Sequence, residues 1–219
     1  TLMIRFENVT ARYTQETGIF DLSFAVAKGE LVFLMGPTGA GKSTVLRAII
    51  RDIPIEKGII TIDKTDVTKL KQRKLPSYRR NIGMIFQDFK LIKGMTVYEN
   101  ISLPLRIVGL SKKMIKDRVT KVIELVGLKG KENSLSMRLS GGEQQRVSIA
   151  RALVTEPDII LADEPTGNLD PIVSDDIIEI LQSTADKGTT VIMSTHNYPL
   201  IRPRKKRFIE LNDGRLIHQ

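Results

Sequence analysis

A short apolar run, Leu31-Val32-Phe33-Leu34-Met35, passes directly into Gly36-Pro37-Thr38-Gly39-Ala40-Gly41-Lys42-Ser43, a junction that few folds accommodate. A run without polar alternation reads as a strand buried on both faces, and such strands belong to parallel sheets covered by helices. The octapeptide matches G-x-x-x-x-G-K-S/T. Its glycines let backbone N–H groups converge on an anion without Cβ clashes, and the helix that starts there adds the partial positive charge of its N-terminus. Lys42 is placed to reach the β- and γ-phosphates of a nucleotide, and the Ser43 hydroxyl to ligate Mg²⁺. A plain glycine-rich turn would look similar in isolation. The buried strand before it and the apolar Val45, Leu46, Ala48, Ile49 and Ile50 after it make Gly36 to Ser43, with Thr44, a phosphate cradle.

The remaining pattern suits an α/β sheet. Strands are expected at residues 4–9, 20–26, 58–62, 82–86, 159–162, 190–194 and 207–211. The turn Asn212-Asp213-Gly214 joins the last of these to a short strand at 215–217 as a hairpin. Helical spacing runs from 97 to about 128 with a break at Gly109-Leu110-Ser111, and its second half presents Met114, Val119, Val122 and Ile123 as a face. Further helices are expected at 141–154 and 171–187. Strands alternating with helices argue for an open α/β sheet. The central stretch, roughly 88–150, reads as a helical lobe inserted into one domain spanning 1–219.

Composition narrows the class. A chain of 219 residues is ample for a large α/β core, and the absence of cysteine excludes disulfide scaffolds, thiolate metal sites and cysteine nucleophiles. No apolar run approaches the ~20 residues of a membrane span, and residues 1–5 show no leader pattern, so a soluble cytosolic chain is expected. The 34 Lys+Arg against 25 Asp+Glu give a net charge of +9. Basic residues cluster at 64–80, at Lys112, Lys113, Lys116, Arg118 and Lys121, and at Arg202, Arg204, Lys205, Lys206 and Arg207, whereas residues 156–186 carry acids and no base. Each cluster alone is a solvated face. Together they point to an anionic partner, which composition leaves open between nucleic acid, a membrane surface and phosphate ligands.

A second strand carries the complementary chemistry. Ile159-Ile160-Leu161-Ala162 ends in Asp163-Glu164. Two carboxylates at the end of a buried strand are expensive unless a cation meets them, and Mg²⁺ on a nucleotide supplies one. Asp163 then holds the metal, directly or through water. Glu164 is placed to orient and deprotonate an attacking water.

Leu139-Ser140-Gly141-Gly142-Glu143-Gln144-Gln145-Arg146 precedes an amphipathic helix. Ser140 with Glu143 is also a capping box, which explains both without any ligand. Two glycines in the first turn weaken a helix, however, and suit close approach of a phosphate. With this motif lying between the cradle and the Asp163-Glu164 strand end, nearly the whole chain resembles the ATP-binding cassette (ABC) ATPases. The resemblance implies a P-loop nucleotide-binding domain with an N-terminal antiparallel β subdomain and an inserted α-helical subdomain. It also implies that ATP and Mg²⁺ are bound and ATP is hydrolysed. On that basis Tyr13 stands where the family stacks an aromatic on adenine, although a surface tyrosine in a hairpin fits equally. Gln87 resembles the glutamine that senses Mg²⁺ and the coupling partner, and Asn168-Leu169-Asp170 resembles the loop that communicates between subunits. His196 resembles the switch histidine at the γ-phosphate. Catalysis is thereby assigned to Glu164, His196, Lys42 and Gln87, and the metal to Ser43, Gln87 and Asp163. Nucleotide contact is assigned to Tyr13, Gly36, Pro37, Thr38, Gly39, Ala40, Gly41, Lys42, Ser43 and Thr44, and to Ser140, Gly141, Gly142, Glu143 and Asp170.

In that family ATP lies between the cradle of one subunit and the signature of another, so a head-to-tail homodimer around two ATPs is implied. The segments Phe86-Gln87-Asp88-Phe89-Lys90-Leu91 and Thr96-Val97-Tyr98-Glu99-Asn100-Ile101 look most like the bacterial cell-division branch. Its members sit on the cytoplasmic face of the inner membrane beside a four-span membrane subunit. ATPases of lipoprotein release and macrolide export are the neighbouring branches, and a non-hydrolysing ATP-dependent scaffold is the alternative of another class. Specific nucleic-acid binding is not expected. Asn197 departs from the family, where most relatives have Asp after the histidine, and the basic tail after Ile201 is unusual. The basic clusters lie outside the nucleotide motifs, in segments suited to an anionic inner leaflet.

Overall fold

The computed structural model describes residues 1–14 and 17–219. The chain begins with two long strands, β1 (Leu2–Arg12) and β2 (Gly18–Ala27), followed by β3 (Leu31–Met35) and α1 (Lys42–Ile49). A small region of β4 (Lys57–Ile62), β5 (Thr65–Asp66) and α2 (Leu75–Arg79) leads to β6 (Ile82–Phe86). Three helices follow, α3 (Val97–Val108), α4 (Lys112–Leu125) and α5 (Gly141–Leu153). The chain closes with β7 (Ile159–Asp163), α6 (Pro171–Asp186), β8 (Thr190–Thr195), α7 (Tyr198–Ile201), β9 (Phe208–Asn212) and β10 (Arg215–His218).

These strands form two sheets. β2-β1-β4-β5 is antiparallel, and β10-β9-β3-β8-β7-β6 is parallel apart from the β9–β10 hairpin. The continuous apolar strands are the central ones of the larger sheet, as the sequence requires. Leu31, Phe33 and Met35 of β3 face one core, with Ile160 and Ala162 of β7 and the helices α3–α6. Val32 and Leu34 face the other, with Ile159 and Leu161, α1 and the antiparallel sheet. Each buried side chain such as Phe33 contributes on the order of 1.5–3 kcal/mol to holding the layers together.

The helical region is defined by its ends. Thr96 and Glu99 form a reciprocal capping box at the start of α3, and Gly109 ends it in the left-handed region at φ 85°. α4 departs from the expected face: Ile115 is buried with Val119, Val122 and Ile123, and Met114 is exposed. A repeat of 115, 119, 122 and 126 follows the helical period, whereas 114 falls one position out of phase. α2 was hidden in the basic stretch. Its Tyr78 hydroxyl donates to the Ile49 carbonyl at 2.5 Å, and Arg79 donates to the carbonyls of Ile50 and Arg51, both at 2.8 Å. Part of that charge therefore caps the C-terminal end of α1. Among the described residues no helix is long and apolar enough to cross a membrane.

Candidate active site

Parallel pairing brings four chain segments to one edge. Met35 is in register with Thr195, Asp163 with Ser194, and Phe86 with Asp163. The residues that follow these strand ends, Gly36, His196, Glu164 and Gln87, therefore emerge side by side at the carboxyl edge, where open α/β sheets bind ligands.

The cradle leaves β3 through Gly36, whose φ of 145° and contact with the Leu211 carbonyl leave no space for a Cβ, which would lie 2.3 Å from that oxygen. Lys42 is 6% exposed, and its Nζ donates to the carbonyls of Gly36 and Pro37 at 2.7 and 3.0 Å. The same Nζ lies 3.3 Å from Glu164 Oε1. Lys42 thus sits inside the loop as a buried cation held by its own backbone and by Glu164.

Ser43 and Thr44 divide where the sequence groups them together. Ser43 is exposed at the cradle, whereas Thr44 is buried, only 6% exposed, in the first turn of α1. The Thr44 side chain is therefore largely withdrawn from solvent, as that of Lys42 is. What Thr44 presents is its backbone N–H: the intrahelical bonds of α1 begin with Val45 N–H on the Gly41 carbonyl at 3.0 Å, and the first-turn N–H groups ahead of it are left for a ligand.

Asp163 and Glu164 diverge at the strand end. Asp163 Oδ1 accepts from Ser43 Oγ at 3.0 Å and from Ser194 Oγ at 2.7 Å. Glu164 adopts φ 47°, a left-handed conformation that costs a side-chain-bearing residue about 1–2 kcal/mol. The turn carries its carboxylate to Lys42 and to His196, whose Nδ1 is 2.9 Å from Oε2. Ser194 ties the pair together, because its Oγ also accepts the Glu164 backbone N–H at 2.9 Å. Ser194 carries no motif signal, since its role comes from register with Asp163 rather than from spacing.

Gln87 donates from Nε2 to Asn168 Oδ1 at 3.2 Å, so the segments after β6 and before α6 meet. The backbone beyond Gln87 turns through left-handed Phe89 and Lys90, and Arg151 of α5 donates to both of their carbonyls, at 3.0 and 2.7 Å. Burial depresses the pKa of the Arg151 guanidinium. Asn100, fully buried, accepts from the Ile92 N–H and donates toward Ser136 Oγ, anchoring the far end of the same loop. Asp170 caps α6 by accepting from the N–H groups of Ile172 and Val173, both at 3.0 Å.

Two expected contacts lie away from this cluster. The guanidinium of Arg47, on α1, lies 4.4 Å from the centroid of the exposed Tyr13 ring. Ser140 and Glu143 form the reciprocal capping box, and an ion pair with Lys131 holds the Glu143 carboxyl below its usual range. Among the described residues, no hydrogen bond joins residues 140–143 to the cradle. The two signature glycines differ: a Cβ on Gly142 would lie 2.6 Å from Val173 Cγ1, whereas one on Gly141 would meet nothing closer than 3.7 Å. Close packing on α6 therefore accounts for Gly142, and only Gly141 lacks a packing reason.

A cradle of backbone amides and a buried lysine, beside a strand ending in a hydroxyl-bonded Asp and a Glu–His pair, defines a P-loop nucleoside-triphosphatase. The ABC transporter family model matches residues 19–167, and the chain belongs to that family and is an ATPase. It is 45% identical to the cell division ATP-binding protein FtsE of Bacillus subtilis, over 90% of this chain and 86% of that protein. It is also 45% identical to the protein of the same name from Escherichia coli, over 98% and 97% of the two chains. Among solved structures, the ATP-binding cassette MJ0796 in a dimeric post-hydrolysis state with ADP and Pi superposes with a TM-score of 0.87. It is 35% identical and covers 99% of this chain and 97% of that one.

Proposed function

We propose that this protein is the ATPase subunit of an FtsEX-type cell-division complex, in which ATP-driven motion crosses the membrane through an FtsX-like permease to regulate septal peptidoglycan hydrolysis. The observation that carries its chemistry is the set Lys42, Asp163, Glu164, Gln87 and His196 at one sheet edge. Lys42 and the cradle amides, that of Thr44 among them, hold the β- and γ-phosphates. Glu164 accepts a proton from the attacking water, His196 fixes the orientation of that carboxylate, and the Lys42 charge opposes the negative charge that develops on the phosphoryl oxygens. Ser43 and Asp163, oxygen donors 3.0 Å apart, suit Mg²⁺, which takes one or two protein ligands alongside substrate phosphates. When bound, the metal neutralises phosphate charge.

Because residues 140–143 do not reach the cradle, the ATP site is completed by Ser140–Gly142 of a second copy, giving a head-to-tail homodimer. The likeness to a dimeric cassette supports this reading. The permease docks in the cleft of about 620 Å³ between β6 and α3, whose apolar lining includes Met84, Leu105, Leu110 and Phe86, the residue before Gln87. Lys112, Lys113 and Lys116 lie beside the exposed Met114 in the first turns of α4, a surface suited to the anionic inner leaflet. Anionic vesicles should bind the protein more tightly than neutral ones; equal binding removes the membrane contact. The central test is Glu164→Gln with ATP. An ATP-trapped dimer without phosphate release is expected, and a variant that still hydrolyses ATP sinks the mechanism.

A further inference from the structure

The signature helix has an inward contact that neither the nucleotide chemistry nor the capping box uses. Gln145, one turn into α5, is fully buried. Its Nε2 donates to the carbonyls of Phe86 at 3.3 Å and Pro165 at 2.5 Å. Phe86 immediately precedes Gln87, and Pro165 immediately follows Glu164. Both partners are acceptors, so only the NH₂ end of the amide serves them, which fixes its orientation. Oε1 then has no protein partner among the described residues. A buried acceptor without a partner is destabilising, and an apolar side chain of similar length would avoid it. Packing alone therefore does not explain a glutamine here, and its two donated hydrogen bonds do.

The position of the bridge gives it a consequence for the dimer. Ser140–Gly142 begin α5, and Gln145 lies within the same rigid helix, roughly 4.5–7.5 Å along its axis from them at 1.5 Å per residue. We propose that Gln145 is a positioning residue that couples the two ATP sites, a reading that rests on the head-to-tail dimer. When the partner's nucleotide draws in Ser140–Gly142, α5 moves as a unit. Gln145 carries that displacement to the backbone on either side of this chain's own catalytic pair, Gln87 and Glu164. Each site is thus made competent by closure of the other, and hydrolysis is cooperative in ATP.

The experiment compares ATPase rate against ATP concentration for the wild type and Gln145→Met, which keeps length and loses both donors. The wild type is expected to show a Hill coefficient above 1, bounded by its two sites. In the variant it falls to about 1 and kcat drops about tenfold or more, as misplacement of catalytic groups predicts, while binding of a fluorescent ATP analogue to the monomer stays within about twofold. Gln145→Leu, which also cannot donate, should behave alike. A folded Gln145→Met protein with unchanged kcat and Hill coefficient overturns the proposal, as does a non-cooperative wild type. Should both variants unfold, hydrogen exchange on the Glu164→Gln protein decides: residues 82–90, 141–150 and 163–168 should gain protection over one ATP range, and separate ranges overturn the coupling. A Glu164→Gln protein that stays monomeric in ATP overturns the dimer reading itself. If it dimerises while Gln145→Met keeps its cooperativity, only the coupling fails.

Discussion

Nδ1 of His196 lies 2.9 Å from Oε2 of Glu164, and the other oxygen of that carboxylate lies 3.3 Å from Lys42 Nζ. The carboxylate is 15% exposed and is held from both sides at the carboxyl edge of the sheet. As the proposed general base, a carboxylate fixed by two partners has little rotational freedom left to lose on reaching the attacking water. Replacing His196 by Ala should therefore lower kcat by on the order of 10²-fold, as loss of a catalytic orienting group does. Half-saturating ATP should change little, because the cradle and Lys42 remain. Steady-state ATPase assays check this, and a raised KM with normal kcat would place His196 in binding instead.

The unequal surroundings of Gly141 and Gly142 allow packing to be separated from ligand contact. In Gly142→Ala the new Cβ would press on Val173, and overpacking of this kind typically costs about 1–3 kcal/mol. Its melting temperature should fall, and Val173→Ala in the same chain should restore it. Gly141→Ala has room beside Leu169 and should melt within a degree or two of wild type, yet lose ATP-dependent dimerisation. Thermal melts with size-exclusion chromatography in ATP distinguish the two.

How much of this was legible beforehand follows the range of the interactions. The β3 strand, the cradle, the Asp163-Glu164 strand end and the Asp213-Gly214 turn rest on neighbours in sequence, and all lie where the pattern puts them. Ser140 with Glu143 is local too, and the capping box forms. Ser194, Gln145 and Arg151 were not legible as site residues, because their side chains bond to groups 31, 59 and 61 residues away. Two of those partners are backbone carbonyls, which every residue carries and no motif marks. An apolar residue in the first turn of a helix, such as Met114, can be one step out of phase without breaking the pattern. Ser43 and Thr44 are adjacent, yet successive helical residues point about 100° apart, and that rotation turns Thr44 inward. Arg79 belongs by sequence to a solvated basic run, and only tertiary packing reveals it as a cap on α1.

Ser194 offers a test of the support beneath Asp163, the carboxylate proposed to face the metal. It donates to Asp163 and accepts from the Glu164 backbone, so Ser194→Ala removes both bonds and leaves a part-buried N–H without its partner. The expected loss of stability is about 1–3 kcal/mol. Orienting partners of metal ligands typically matter about 10- to 100-fold, so the Mg²⁺ concentration for half-maximal ATPase should rise by that order. Magnesium titrations at saturating ATP, paired with denaturant melts, measure the two effects separately. Unchanged Mg²⁺ dependence would show that Asp163 is held well enough by Ser43 alone.

Tyr13 is the site residue whose surroundings most nearly fit the plain alternative. Its ring is about half exposed and lies beneath the Arg47 guanidinium, which is also paired with Asp52 at 2.6 Å. Arg47 is in the last turn of α1, the helix that begins at the cradle, and the adenine contact proposed for Tyr13 uses the other face of its ring. Stacking of that face on adenine is worth roughly 0.5–1.5 kcal/mol, about 2- to 10-fold in affinity. Tyr13→Ala should therefore raise half-saturating ATP by that factor with kcat unchanged, and Tyr13→Phe should leave both near wild type, since the ring and not the hydroxyl makes the contact. Tripolyphosphate, which lacks the base, should bind wild type and Tyr13→Ala equally. If ATP also binds both equally, the Tyr13–Arg47 pair is a surface contact and adenine is held elsewhere.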